Sequence, residues 1–276
     1  MSELRWHPLL QQWVVVTAHR QDRPQMPADG CPFCPGSGRV PDHYDVYLYP
    51  NDFPAFPGAC DVVLYSPEHR RLPSELPVEQ WEKVIALWTR RTAELAADPN
   101  VKYVMVFENA GEAVGVTMPH PHGQIYGFPF IPPRIERELL SPGCAHCHVL
   151  ADELSSGARI VCKNDHFYAF VPYFARFPYE VHIYSQIHVP GLKDIANPRA
   201  LAEILSVIRR KYDALFGSPM PLMMVLHQER HFYIEFLPLR RGAAKLKYLA
   251  AVESASGTFL VDVIPEQAAE ELRRIS

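Results

Sequence analysis

Apolar residues fall in short stretches bounded by Gly, Pro, Asn and Asp, a pattern that predicts strands at 13–17, 45–49, 61–65 and 103–107. It recurs at 159–163, 167–171, 180–184 and 232–236. Twice the spacing changes to that of a helix with one apolar face. The first face carries Trp81, Val84, Ile85, Trp88 and Leu95; the second carries Leu201, Ile204, Leu205, Ile208, Tyr212 and Leu215. Each predicted helix leads through a Pro-bearing turn into an apolar strand, at 101–107 (which includes the 103–107 run) and at 221–226.

The chain repeats itself. Cys31-Pro-Phe-Cys34 returns as Cys144-Ala-His-Cys147, and Asn51-Asp52-Phe53 as Asn164-Asp165-His166-Phe167. Tyr65-Ser66-Pro67-Glu68-His69 returns as Tyr184-Ser185-Gln186-Ile187-His188. The order is kept and the offset is nearly constant, so two copies of one unit are the simplest account. Each copy has several short strands and one crossing helix. The expected fold class is α+β, with a mostly antiparallel sheet and a helix packed on it. Pro132-Pro133 suggests a division into 1–133 and 134–276.

Composition narrows the functional classes. Hydrophobic residues make up 48% and charged residues 21% of 276 positions, values of a folded globular chain. The net charge of -4 offers no field for nucleic acid or anionic lipid. No apolar run reaches the ~18 residues of a membrane span, and the N-terminus has no basic start followed by an apolar block. A cytoplasmic home is expected, with no nucleic acid and no membrane as partner. In a reducing compartment the paired cysteines read as metal or redox sites rather than disulfides. Cys60 and Cys162 read as buried small hydrophobes.

Two thiolates at i, i+3 grip one Zn²⁺ from a single turn, and a tetrahedral site then needs two more ligands. The repeat suggests them: Cys31, Cys34, His69 and His120 in the first unit; Cys144, Cys147, His188 and His231 in the second. Glu138 and His227 are rival ligands for the second site. Four protein ligands leave no open position, so one or two structural zinc ions per chain are expected. The same C-x-x-C spacing also serves thioredoxin-like redox pairs, but no βαβ pattern precedes a helix here.

The segment Met118-Pro119-His120-Pro121-His122-Gly123-Gln124 bears the chemistry. Histidines at i, i+2 on a strand share a face. With His120 drawn to a metal, His122 stands beside it on fixed backbone. A neutral imidazole with its lone pair outward is a good nucleophile for phosphorus. The Gly-bearing loop before it, 109–117, suits phosphate oxygens. A second structural histidine in a Pro-rich turn fits the spacing equally well.

H-P-H-G-Q after N-x-G-x-x-x-G-x-[ST], with an upstream C-x-x-C and N-D-F, resembles the galactose-1-phosphate uridylyltransferase family, the transferase branch of the histidine-triad superfamily. The resemblance runs from Arg20 to Glu253, nearly the whole chain. It implies two histidine-triad-like repeats, a homodimer, and a UDP-glucose:hexose-1-phosphate uridylyltransferase of galactose metabolism. His122 would attack the α-phosphorus of UDP-glucose and carry the uridylyl group in ping-pong fashion to galactose 1-phosphate. Gln124 stands where hydrolase relatives carry a third histidine. The resemblance further assigns Asn51 and Asp52 to uridine and ribose, and Asn109, Gly115 and Thr117 to phosphate. Arg20 and Arg23 would meet phosphate groups, and Lys247, Tyr248 and Glu253 the sugar. In the second repeat Tyr233 holds the nucleophile's position and Glu235 that of Gln124, which implies one active centre per chain. Several members build the second metal site from a carboxylate and three histidines; here their H-x-H is His231-Phe232-Tyr233. They also carry a tyrosine where this chain has Val252. An ADP-sugar phosphorylase of the same superfamily and a non-catalytic zinc protein are the alternatives.

Overall fold

The structure is a computed structural model that describes residues 2–22 and 30–276. The fold is α+β, and among the described residues it divides into two compact units. Most of the first unit lies in residues 1–71, 83–107 and 117–142; the second holds 72–82, 108–116 and 143–276.

In the first unit, strands β1 (Glu3–His7) and β2 (Gln12–Val16) form a hairpin. Strands β3 (Tyr47–Pro50), β4 (Cys60–Leu64), β5 (Tyr103–Ala110) and β6 (His122–Phe128) pair antiparallel in the order β3-β4-β6-β5. Helix α1 (Val78–Ala96) supplies the predicted apolar face. Its Val84, Ile85 and Trp88 are fully buried, and Trp88 meets Tyr65 edge-on with ring centroids 5.8 Å apart. Each such burial stabilises the fold by about 1.5–3 kcal/mol before entropy is counted. Pro133 does not merely interrupt the chain: it opens helix α2 (Pro133–Leu140) at a position where its missing N–H costs nothing.

The second unit begins its main segment with helix α3 (Ala145–Ser156), which Cys144 precedes as N-cap and Gly157 ends in the left-handed conformation. Strands β7 (Ile160–Lys163), β8 (Phe167–Phe170) and β9 (Val181–Ser185) follow. Helix α4 (Pro198–Leu215) is capped by Asn197, whose side chain accepts the Ala200 N–H, a contact worth about 1 kcal/mol. Strands β10 (Leu222–His227) and β11 (Tyr233–Pro238) complete an antiparallel order β10-β11-β9-β8-β7. Strands β12 (Arg240–Gly242) and β13 (Lys245–Leu246) form a small ladder, and helix α5 (Pro265–Arg274) closes the chain.

The repeat is therefore visible as topology. The strand after each C-x-x-C and N-D element (β4 or β9) pairs with the strand after the H-x-[HY] element (β6 or β11). That strand pairs in turn with the one after the long helix (β5 or β10). No helix among the described residues is long and apolar enough to cross a membrane.

Candidate active site and metal centres

Four side chains converge at the end of the first sheet. Cys31 Sγ and Cys34 Sγ lie 3.7 Å from His120 Nδ1, and Cys34 Sγ lies 3.5 Å from His69 Nδ1. With Zn–S at ~2.3 Å and Zn–N at ~2.0–2.1 Å, a tetrahedron has S···N edges of about 3.6 Å. The separations fit a shared cation. All four ligand atoms lie within 4.8 Å of one another. Without a metal, burial pushes the Cys31 thiol up to about 11 and the His120 imidazole down to about 4. Near neutral pH Cys31 and His120 are then uncharged, and a cation must displace the proton from the Cys31 sulfur to enter. His120 Nε2 is 2.7 Å from the Ser66 carbonyl oxygen and 3.1 Å from the Tyr44 hydroxyl, which leaves Nδ1 for the metal.

The second set repeats the first. Cys144 Sγ and Cys147 Sγ lie 3.4 and 3.6 Å from His231 Nδ1, and Cys147 Sγ lies 3.4 Å from His188 Nδ1. The two imidazole nitrogens are 3.3 Å apart, the N···N edge of a tetrahedral site. The rival ligands lie elsewhere. Glu138 pairs with Arg134 at 3.0 Å, and His227 Nε2 faces Glu235 at 3.1 Å. The sites differ at the second histidine: His231 Nε2 is buried with no hydrogen-bond partner among the described residues.

The sequence expectation put both histidines of H-P-H on a strand. In the structure β6 begins at His122, and His120 lies in the turn before it. The link between them is a hydrogen bond instead: His122 Nδ1 is 2.7 Å from the His120 carbonyl oxygen. A carbonyl only accepts, so Nδ1 carries the proton and Nε2 presents its lone pair. His122, Gln124, Asn51, Asp52, Thr117, Phe33, Tyr49, Val62 and Met118 are among the residues lining one cleft. Phe33 joins the cleft to the Cys₂His₂ set: its ring lies 5.9 Å from that of His120 and 5.7 Å from that of His122.

Asp52 is held from two sides. Tyr49 donates to its carboxylate at 3.0 Å, and Arg39 at 2.7 Å. Asn51 turns its Oδ1 to the Phe53 N–H at 2.9 Å. Sequence reading overlooked Arg39, Tyr49 and Phe33, although Phe33 lies inside the C-x-x-C.

The other expected residues lie as follows. Asn109 is on β5, and Gly115 ends a short 3₁₀ turn at φ 78°, a conformation that suits Gly. Arg20 sits in a 3₁₀ turn, outside the cleft lining. Arg23 lies outside the described residues. Lys247 and Glu253 are in the second unit, paired with each other at 2.9 Å, and Tyr248 is 74% exposed.

In the second unit the counterparts of His122 and Gln124 are enclosed. Tyr233 stacks on His227 with centroids 4.2 Å apart. Glu235 meets Arg176 at 2.5 Å, His227 at 3.1 Å and His182 at 3.5 Å, while Glu180 meets His182 at 2.9 Å. Burial works to lower the His182 pKa, but the two carboxylates raise it above its ordinary value. Glu180, His182 and Glu235 have the spacing of a cation site. Arg176 already supplies a positive charge there, and the two carboxylates favour the protonated form of His182.

Comparison with known proteins agrees with this layout. Residues 52–132 match the family model described as galactose-1-phosphate uridyl transferase, N-terminal domain, and residues 143–276 match the one for its C-terminal domain. The galactose-1-phosphate uridylyltransferase of Thermotoga maritima is 38% identical, over 99% of this chain and 98% of its own length. That of Streptomyces lividans is 35% identical, over 100% and 87%. A solved structure of a uridylyltransferase superposes with a TM-score of 0.89 at 31% identity, covering 99% of this chain and 98% of its own.

Proposed function

The chain belongs to the galactose-1-phosphate uridylyltransferase family, and from that membership and the cleft geometry we propose how it works as a UDP-glucose:hexose-1-phosphate uridylyltransferase. The observation that carries the reading is the anchored imidazole: His122 Nδ1 bonded to the His120 carbonyl oxygen, at the cleft that also holds Asn51, Asp52 and Gln124. Nε2 attacks the α-phosphorus of UDP-glucose. A P–N bond forms and the P–O bond to glucose 1-phosphate breaks. The phosphate oxygen of galactose 1-phosphate then attacks the same phosphorus, and the imidazole leaves as UDP-galactose forms.

Leaving group and acceptor are both phosphate monoesters, with a second pKa near ~6. Neither needs a protein acid or base at neutral pH. An amide at position 124 therefore suffices: it can hold a non-bridging oxygen but cannot activate water, which favours transfer over hydrolysis. Asn51 and Asp52 take uridine and ribose. Thr117, with Asn109 and Gly115, takes phosphate, as do Arg20 and Arg23. Lys247, Tyr248 and Glu253 serve the acceptor sugar in a homodimer. The two Cys₂His₂ sets hold structural zinc, and the enzyme is cytoplasmic. The domains are 1–133, which bears the nucleophile, and 134–276, which does not. Cys31, Cys34, His69 and His120 would hold the first zinc, which would supply no reacting group and would steady the backbone from which His122 projects.

Intact-mass measurement at mildly alkaline pH, where phosphoramidates survive, tests this. Incubation with UDP-glucose is expected to add one uridylyl group, mapped to His122. A His122→Gly variant is expected to lose the adduct and keep its metal and fold. An adenylyl adduct from ADP-glucose, or no adduct from either donor, overturns the reading.

A further inference from the structure

Gln124 is useful to an anionic phosphate only if its N–H₂ faces the phosphorus; its carbonyl oxygen would repel it. We propose that Tyr126 is the positioning residue that sets this orientation, an inference that rests on the uridylyl-transfer reading. His122, Gln124 and Tyr126 alternate along β6 and so share one face.

The orientation can be followed bond by bond from a group with no ambiguity. The Phe53 backbone N–H only donates, and it meets Asn51 Oδ1 at 2.9 Å. That fixes the Asn51 amide, whose Nδ2 is then the atom that faces the Tyr126 oxygen, in a long contact of 3.5 Å. Nδ2 only donates, so the tyrosine oxygen accepts there. Its single hydrogen goes to Gln124 Oε1 at 3.0 Å. With Oε1 committed to Tyr126, both N–H bonds of Gln124 Nε2 remain for the oxygens on phosphorus. A backbone N–H in the turn at Asn51 thereby selects the face that Gln124 shows to the substrate.

The Tyr126 ring is suited to hold this geometry. It is buried, it meets Phe107 edge-on at 5.0 Å, and it packs with Phe56 and Phe128 at 6.5 and 6.4 Å. This aromatic setting places the hydroxyl without involving the metal ligands.

The test is Tyr126→Phe, which keeps the ring and its packing and removes only the link. In single-turnover uridylylation of His122 by UDP-glucose, the rate is expected to fall about tenfold, with the half-saturating UDP-glucose concentration changed less than about twofold. In a Gln124→Ala background the same change is expected to cost nothing further, because the group it orients is gone. The melting midpoint is measured in parallel. A full rate for Tyr126→Phe overturns the proposal. So does an equal fold-loss in both backgrounds, the behaviour of a residue that supports the fold alone. If the parent enzyme forms no uridylyl adduct, the transfer reading itself fails and this inference falls with it.

Discussion

Gly123 separates His122 from Gln124, and the structure says what a single methyl group there would do. A Cβ at this position would lie 2.1 Å from the Tyr65 hydroxyl oxygen, 2.9 Å from its Cζ and 3.1 Å from the Phe107 carbonyl oxygen, where ordinary contact begins at 3.4 Å. Tyr65 has nowhere to go: it is fully buried and set against Trp88. In Gly123→Ala the strand must therefore yield by about 1 Å, a displacement that costs on the order of 10²-fold in rate when it reaches reacting groups. Overpacking of this kind costs about 1–3 kcal/mol of stability. Urea midpoints and rapid-quench uridylylation with UDP-glucose read the two effects. Tyr65→Phe alone keeps the buried ring and removes only the hydroxyl oxygen, and its own cost is read from the same urea midpoints. Combined with Gly123→Ala it removes the atom in worst overlap, so the double variant is expected to be more stable than the sum of the two single costs implies, by about 1 kcal/mol or more. A Gly123→Ala enzyme as stable and as fast as the parent would refute the steric argument, and so would strict additivity with Tyr65→Phe.

Other outcomes follow from the metal sets and from Gln124. Under a chelator titration followed by elemental analysis, the Cys144/Cys147/His188/His231 set is expected to release its ion before the first set, because His231 lacks the second hydrogen bond that His120 makes; equal release, or the reverse order, counts against this. In fully chelated protein, burial holds His120 and His231 near pKa 4, below their value of 6.5 when unfolded. The unfolded chain then binds more protons between those values, so urea midpoints are expected to fall as pH drops from about 6.5 to about 4, and a flat profile would contradict the burial argument. Gln124→His restores an acid–base group beside His122 and is expected to raise hydrolysis of the uridylyl-enzyme relative to transfer; an unchanged ratio would remove the role given to the amide.

Much of this was readable in the chain because it depends on local spacing. The faces of α1 and α4 obey the helical period. Most predicted strands fall within one or two residues of those observed, since turn residues punctuate them. The convergence of the two Cys₂His₂ sets was readable because the repeat prints each residue type twice. What could not be read depends on neighbours across the sheet. Tyr126 looks like one more apolar strand residue until its contacts place its hydroxyl between Asn51 and Gln124. Arg39 and Tyr49 reach Asp52 only after the turn at Asn51 has formed. Strand β1, with Trp6 and Trp13 in edge contact at 5.1 Å, owes its existence to pairing with β2 and not to a pattern of its own. The two C-x-x-C motifs are alike in sequence, yet Cys31 leads a turn and Cys144 caps a helix. Spacing brings each pair of sulfurs together, and the flanking residues choose the backbone that delivers them.

The enclosure of Tyr233 and Glu235 gives the duplication a direction. When a gene doubles, either copy can in principle keep the work. Here the second copy has committed the equivalent positions to packing and ion pairs. The site equivalent to His122 is stacked against His227, and the one equivalent to Gln124 is locked by Arg176 in a knot with His182 and Glu180. Restoring one histidine would leave its neighbours walled in, and freeing Glu235 alone would strand a buried charge. No single substitution reopens these positions, because several mutually dependent side chains hold them together.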